Sequence, residues 1–441
     1  MILIAIKLSI YPISVTVKSM PSQNMSSIKK NVPSAWYPTM DSFIAKGKNA
    51  EIWDKNNNRY LDFVGGYAVL NTGHLNPRVV RRVKKQLNDY SHSCFAFAPH
   101  ENAVELCDQI NKRYPINQKT KTFLVNSGAE AVENAIKIAR YATGREKIIA
   151  FKGGFHGRTY LAMGLTGKEK PYKEGFGPFP KFISHIDFPY DYRGISDDKV
   201  IKQLQNLISK KIDPNDIAAI VVEIQLGEGG YIPASNGFLK KLREITKKHN
   251  ILLIFDEVQT GFGRTGEMFG ATKVNVEPDM VTLAKGIGGG FPLAAVVGKS
   301  KIMDSVHDAG IGSTFGASPI SCAAALGVLD VFDKDNLLQK VNKQELIMEK
   351  SLETMKENFE FVGDVRGYGI MKGVEIVENK EDKTASKELA TKIISNSKKN
   401  GLLLVNCGKE GNVIRFMGPL TTPLNQVREA MEMFNNALEK I

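Results

Sequence analysis

The sequence predicts an α/β protein with a large, mostly parallel sheet and a smaller α+β region beside it. Three observations carry this expectation. Short apolar runs such as Ala218–Glu223 and Ile251–Asp256 sit between segments of helical period, the pattern of strands buried on both faces. From about Leu337 onward, helical segments alternate with short strand-like ones and read as a second domain. At 441 residues the chain has room for two domains, or for one large body and a smaller partner.

Composition excludes several classes. Hydrophobic residues make up 42% and charged residues 24% of the chain, ordinary values for a globular protein. The net charge of +12 comes from scattered pairs such as Lys240-Lys241, Lys247-Lys248 and Lys398-Lys399. With acids interleaved, these are solvated helix faces rather than a nucleic-acid-binding stripe. None of the four cysteines has CxxC spacing, so neither a zinc site nor a disulfide framework is implied, and a reducing, cytoplasmic setting fits. No apolar run is long enough to cross a membrane. Residues 1–35 read as a disordered leader. The first forty residues contain no Asp or Glu, and the apolar start Met1–Ile6 is cut by Lys7. The absence of arginine there argues against a transit peptide; Met20 and Met25 are alternative starts.

Taken in order, Ala50–Gly65 reads as a hairpin turning at Lys55-Asn56-Asn57-Asn58. A glycine-rich loop, Gly65–His74, follows, and Pro77 opens a helix to about Tyr90 with Val79, Val80, Val83 and Leu87 on one face. The strand Thr122–Val125 leads through Asn126-Ser127-Gly128-Ala129 into another helix. Its N-terminus suits a phosphate, although an ordinary capped helix looks the same. Ile148–Thr159 is strand-like and ends in Phe155, His156, Gly157 and Arg158. There an aromatic face can stack and a guanidinium can grip a carboxylate, or both can be structural. Ala218–Glu223 exits into a glycine loop carrying Glu228, and a helix over Phe238–Asn250 precedes the most informative stretch.

That stretch, Ile251–Pro292, delivers Asp256 and Lys285 from the ends of two apolar runs, with Gly286-Ile287-Gly288-Gly289-Gly290 after the lysine. In a parallel sheet both reach the edge where ligands bind. An amine there can form a Schiff base with a carbonyl cofactor, and an acid can keep a pyridinium nitrogen protonated. A lysine after a strand is otherwise a solvated residue. Further on, Gly312–Pro319 is a loop before the small-residue helix Ile320–Phe332. Met371–Val377 and Asn412–Phe416 are strand-like, Glu378–Lys383 is a charged turn, and Pro423 opens the last helix.

DEVQTGFGRTG followed by LAKGIGGGFPLAA resembles the signature of the class III pyridoxal-phosphate aminotransferases. NSGAEAVENAIK, FHGRT, the loop Gly312–Pro319 and NVIRFMGPL resemble further segments of that family, in its order, from Trp36 to the C-terminus. The resemblance implies an aspartate-aminotransferase-like (fold type I) architecture. It divides the chain into residues 36–90 and 326–441 as the two parts of a small domain, and 91–325 as the cofactor domain. It assigns Lys285 to the Schiff base and proton transfer, Asp256 to the ring nitrogen, and Gln259 to the ring hydroxyl. Val258 and Phe155 take the two ring faces, and Ser127, Gly128 and Ala129 take the phosphate. His156 and Glu223 join the cofactor set, and Thr314 reaches the phosphate of the neighbouring subunit in a homodimer. Tyr67, Arg158, Glu228 and Arg415 fall to the substrate. The family's E-P-V-Q-G-E-G-G has Ile224, Gln225 and Leu226 as its central three residues here, which puts the strand-exit geometry in question.

The implied reaction moves the amino group of an ω-amino acid, best matched by 4-aminobutyrate, to 2-oxoglutarate. Arg158 would hold the distal carboxylate and Arg415 the α-carboxylate, with Glu228 neutralising Arg415 when the donor has only one. Tyr67 stands where bacterial 4-aminobutyrate enzymes commonly have Ile and ornithine enzymes have Tyr. This leaves ornithine-, acetylornithine- or lysine-type donors, and racemisation, as alternatives. A non-enzymatic cofactor-binding regulator is the remaining class, but the leader is too short for a DNA-binding module.

Overall fold

The computed structural model of the chain describes residues 25–441. Seven strands form the central sheet, in the spatial order Thr120–Val125, Ala294–Lys299, Met280–Leu283, Leu252–Asp256, Ile217–Glu223, Lys147–Phe151 and Ile183–Ile186. The last five run parallel, and Ala294–Lys299 is antiparallel to both its neighbours. Every residue of Ile217–Glu223 is buried. Successive side chains divide between two cores: Ile220 and Val222 pack with one cluster, Ala219 and Val221 with the other. A strand covered on both faces has no polar side to alternate with, which is why the run is continuously apolar.

The helix Gly128–Thr143 covers one face with Ala131, Val132, Ala135, Ile136, Ile138 and Ala139. Burying each of the two isoleucines is worth roughly 1.5–3 kcal/mol. Ser127 caps its start by accepting the Glu130 N–H, and Gly144 ends it in a left-handed conformation at φ 66°, as a C-terminal glycine does without Cβ strain.

Two four-stranded sheets stand beside the central one. Ile44–Lys48, Glu51–Asp54 and Arg59–Asp62 form an antiparallel meander that Leu402–Leu403 joins in parallel. The other, Val362–Arg366, Gly373–Ile376, Val413–Arg415 and Val405–Cys407, is antiparallel throughout. Both ends of the chain therefore meet in one sheet, and Arg415 lies on a central strand of the other.

Some local expectations change. The helix at Pro77 spans Pro77–Asp89 and buries Val79, Val83 and Gln86, whereas Leu87 is exposed. The buried stripe follows i, i+4, i+7, and Leu87 falls one position off it. Of the expected leader, residues 1–24 lie outside the described residues. Met25–Asn31 is a helix that buries no side chain, with Lys29 and Lys30 in its last turn, where cations sit favourably at the negative end of the helix dipole. Among the described residues no helix is long and apolar enough to cross a membrane. No cluster of His, Cys, Asp or Glu among them is arranged to hold a metal.

Candidate active site

The carboxyl ends of the parallel strands define the site. Glu223, Asp256 and Thr282 are register neighbours on three adjacent strands. The Asp256 carboxylate is fixed from three sides. Its Oδ1 accepts the Val258 N–H at 3.0 Å and the Thr282 hydroxyl at 3.1 Å, and its Oδ2 lies 2.6 Å from His156 Nδ1. Burial pulls the His156 pKa down, but the hydrogen bond and charge of Asp256 outweigh it and leave the pKa raised. Glu223 accepts the N–H groups of Phe155 at 2.8 Å and Gly227 at 2.9 Å. Burial raises its pKa against the opposing charge of His156. The strand exit altered by Ile224, Gln225 and Leu226 is thus held at Gly227. Gln225 itself turns away to the chain at Tyr368 and Met371.

Lys285 follows the strand Met280–Leu283 in the left-handed region, at φ 48°, a costly conformation for a residue with a side chain. Burial lowers its pKa, with the charge of Glu228 the largest opposing influence. Among the described residues its amine has no hydrogen-bond or ion-pair partner.

Lys285, Asp256, Gln259 and Glu228 line a cavity of about 390 Å³, together with Ser127, Gly128 and Ala129. Phe155, His156, Val258 and Glu223 complete most of the wall. Gly128 and Ala129 occupy the first helical positions, where N–H groups lack intrahelical acceptors. A Cβ on Gly128 would lie 3.0 Å from Val258 Cγ1, so glycine lets the helix start approach Val258. Asn126 tethers this turn, binding the Glu130 carboxylate and Ser313 Oγ. Thr314, next to Ser313, is exposed on the outside of its own chain and does not line this cavity.

At the rim, Arg415 and Glu228 form a buried salt bridge through Glu228 Oε1. Burial opposes both charges. Glu228 nevertheless keeps the arginine pKa raised, and Arg415 keeps the glutamate pKa lowered. The ring of Tyr67 lies 5.4 Å from the Arg415 guanidinium carbon. Tyr67 reaches that place through a left-handed turn, Gly65–Ala68, in which all four φ values are positive. A Cβ on Gly65 would meet the Met417 carbonyl at 2.6 Å. Arg158 is exposed and stacks over Tyr172 at 5.0 Å and Phe155 at 6.0 Å.

Sequence reasoning missed Tyr172 and Lys168. Tyr172 donates a 2.8 Å hydrogen bond to Glu228 Oε2, packs its ring 4.9 Å from that of Phe155, and carries Lys168 over its face at 5.5 Å. In the sequence both belong to a charged, glycine- and proline-rich segment with no periodicity, and only the fold turns that segment toward the site.

A parallel α/β sheet with lysine, aspartate and a helix N-terminus converging at its carboxyl edge defines a pyridoxal-phosphate enzyme of fold type I. The model of the family "Aminotransferase class-III" matches residues 32–438, and the chain belongs to that family. It is 42% identical over 396 residues to the 5-aminovalerate aminotransferase DavT of Pseudomonas aeruginosa, covering 90% of this chain and 93% of the relative. It is also 42% identical over 398 residues to the 4-aminobutyrate aminotransferase GabT of Escherichia coli, with the same coverage of each. Among solved structures, an amine transaminase from an uncultivated Pseudomonas species in its PLP-bound form superposes with a TM-score of 0.86 at 28% identity, covering 93% of this chain and 98% of the other. The enzyme is a pyridoxal-phosphate-dependent aminotransferase acting on amino and keto acids. The residues present fit that cofactor. Besides the helix start and the acid, the buried Gln259 Oε1 has no hydrogen-bond partner of its own, and it lines the cavity.

Proposed function

We propose that the enzyme transfers the amino group of 4-aminobutyrate to 2-oxoglutarate, as a cytoplasmic homodimer. The observation that carries this reading is the buried Arg415–Glu228 pair, with a second arginine, Arg158, exposed at the same rim. A donor with one carboxylate needs one arginine, and a buried arginine left without a partner costs about 3–5 kcal/mol. Glu228 removes that cost while Arg158 takes the donor carboxylate. A dicarboxylate acceptor uses both arginines, and Glu228 releases Arg415 to it.

Pyridoxal phosphate, when bound, supplies a carbonyl for amine exchange and a ring that accepts electrons. Lys285 would hold it covalently, Ser127, Gly128 and Ala129 its phosphate, and Val258 and Phe155 its two faces. Gln259 would take the ring hydroxyl. Asp256, oriented by His156, Thr282 and Val258, would keep the ring nitrogen protonated, with Glu223 supporting the Phe155 turn. The lowered pKa of Lys285 brings its neutral amine within reach at lower pH than for a free lysine, as a base removing the proton from the amine-bearing carbon requires. Thr314, exposed on its own chain, would serve the phosphate site of the second copy.

The relatives named for 4-aminobutyrate and 5-aminovalerate support an ω-amino acid donor. One methylene separates the two, worth about 1–3 kcal/mol in an apolar pocket, so both are expected as substrates with 4-aminobutyrate preferred. The test is a donor panel mixed with the holoenzyme and followed by its visible absorbance. ω-Amino acids should bleach it, and 2-oxoglutarate should restore it. No bleaching by ω-amino acids, with bleaching only by ornithine or by α-amino acids other than glutamate, would overturn the assignment.

A further inference from the structure

Tyr172 occupies a position that the reaction as described does not use. Its hydroxyl donates to Glu228 Oε2 at 2.8 Å, while Arg415 binds the other oxygen. Its ring packs against Phe155 and lies under both Arg158 and Lys168. Lys168 anchors this segment by donating to the Gly408 carbonyl at 2.8 Å, and the Gly408 N–H in turn donates to the Glu228 backbone carbonyl at 3.0 Å. The segment is therefore fastened to the loop of the glutamate and to its side chain at once.

This placement matters when Arg415 leaves. A buried carboxylate that gives up the arginine paired with it still needs hydrogen-bond donors, or its burial becomes costly. Tyr172 is the side chain already bonded to the oxygen that Arg415 does not hold. We propose that Tyr172 is a specificity-setting positioning residue, whose hydroxyl retains Glu228 while Arg415 is engaged by the second carboxylate of the acceptor. The proposal rests on the two-arginine reading above. When Arg415 is paired, Tyr172 provides one of two bonds to Glu228; when it is released, the Tyr172 bond is the one that remains. Removing the hydroxyl should therefore harm the dicarboxylate half-reaction more than the ω-amine half-reaction, opposite to the preference expected on removing the charge of Glu228.

The two half-reactions of the holoenzyme can be followed separately by rapid mixing. Tyr172→Phe keeps the ring and its stacking, and its visible absorbance per subunit should match the wild type. Its KM for 2-oxoglutarate should rise about tenfold, with the KM for 4-aminobutyrate changing less than about threefold. In a Glu228→Ala background the same substitution should change neither value, because Tyr172 acts through Glu228. Equal effects on both half-reactions, or an undiminished effect without Glu228, overturns the proposal. Glu228→Gln distinguishes the source of a failure. If it selectively impairs the ω-amine half-reaction, the arginine exchange stands and only the tyrosine role is lost. If it shows no preference, the exchange itself is wrong and the tyrosine proposal falls with it.

Discussion

The floor of the cavity and its rim are built on different principles. Asp256, Glu223 and Thr282 sit in register on adjacent strands, and His156 locks onto Asp256 from the next strand's exit turn. The rim joins Tyr67 from a left-handed turn, Arg158 and Tyr172 from either side of the short helix Tyr160–Leu165, Glu228 from a glycine loop and Arg415 from a different sheet. The floor cannot move without breaking the sheet, whereas the rim is held by a salt bridge, a hydroxyl and stacked rings. Chemistry common to both half-reactions belongs on the rigid part. Recognition that must change between two substrates belongs where partners can exchange.

That contrast is broken most severely at Lys285. Lys285→Ala should lower turnover by about four orders of magnitude or more, since both nucleophile and base are lost, and the visible absorbance should disappear with it. Transamination at the wild-type rate would refute the assignment. Asp256→Asn comes next, with a loss of roughly a hundredfold or more in kcat in both half-reactions, on the scale of other electrostatic removals. A loss confined to one half-reaction would move Asp256 from the floor to the rim in function. Glu228→Gln should cost about tenfold in the ω-amine half-reaction and little with glutamate, read as the ratio of the two kcat/KM values.

Tyr67 gives a smaller effect. A cation–π contact of this exposure is worth about 0.5–1 kcal/mol, so Tyr67→Ile should change the KM for 2-oxoglutarate by about two- to fivefold. Tyr67→Phe should stay near wild type; a large loss there would restore a role for the hydroxyl in reading a more polar donor.

The smallest effect concerns stability. The His156 pKa is raised in the folded protein. Its pair with Asp256 therefore contributes stability that is fully present below the unfolded value near 6.5 and is lost as pH rises through the folded value. Melting curves of the cofactor-free protein from pH 6 upward should show a decline that His156→Asn flattens. Parallel curves for the two proteins would show that the pair does not titrate in that window.

Legibility in the sequence follows the same division. The runs ending at Glu223, Asp256 and Ala284 announced themselves because strands buried on both faces leave continuous apolar stretches, and Glu223, Asp256 and Lys285 stand at or directly after their ends. The helix start at Ser127–Ala129 was readable for a related reason, since capping is local. Arg415 stands in the strand-like Asn412–Phe416 and lies on an inner strand between Gly373–Ile376 and Val405–Cys407, a placement no local pattern encodes. Leu87 was assigned to a buried face it does not occupy, because that face is filled instead by the polar Gln86, whose amide is satisfied by Tyr90 and Asn102, an exchange hydrophobic pattern does not reveal.

The sequence by itself determined that the sheet is mostly parallel and which residues end its apolar runs and cap its helices, because short-range hydrophobic pattern and capping decide these. Only the tertiary structure decided that Tyr67 lies against Arg415 and that Tyr172 holds the oxygen of Glu228 that Arg415 does not. Those contacts join residues up to 348 positions apart, as in the Tyr67–Arg415 pair. Their physical cause is the closing of separate sheets and loops over one another, to which no periodicity along the chain corresponds.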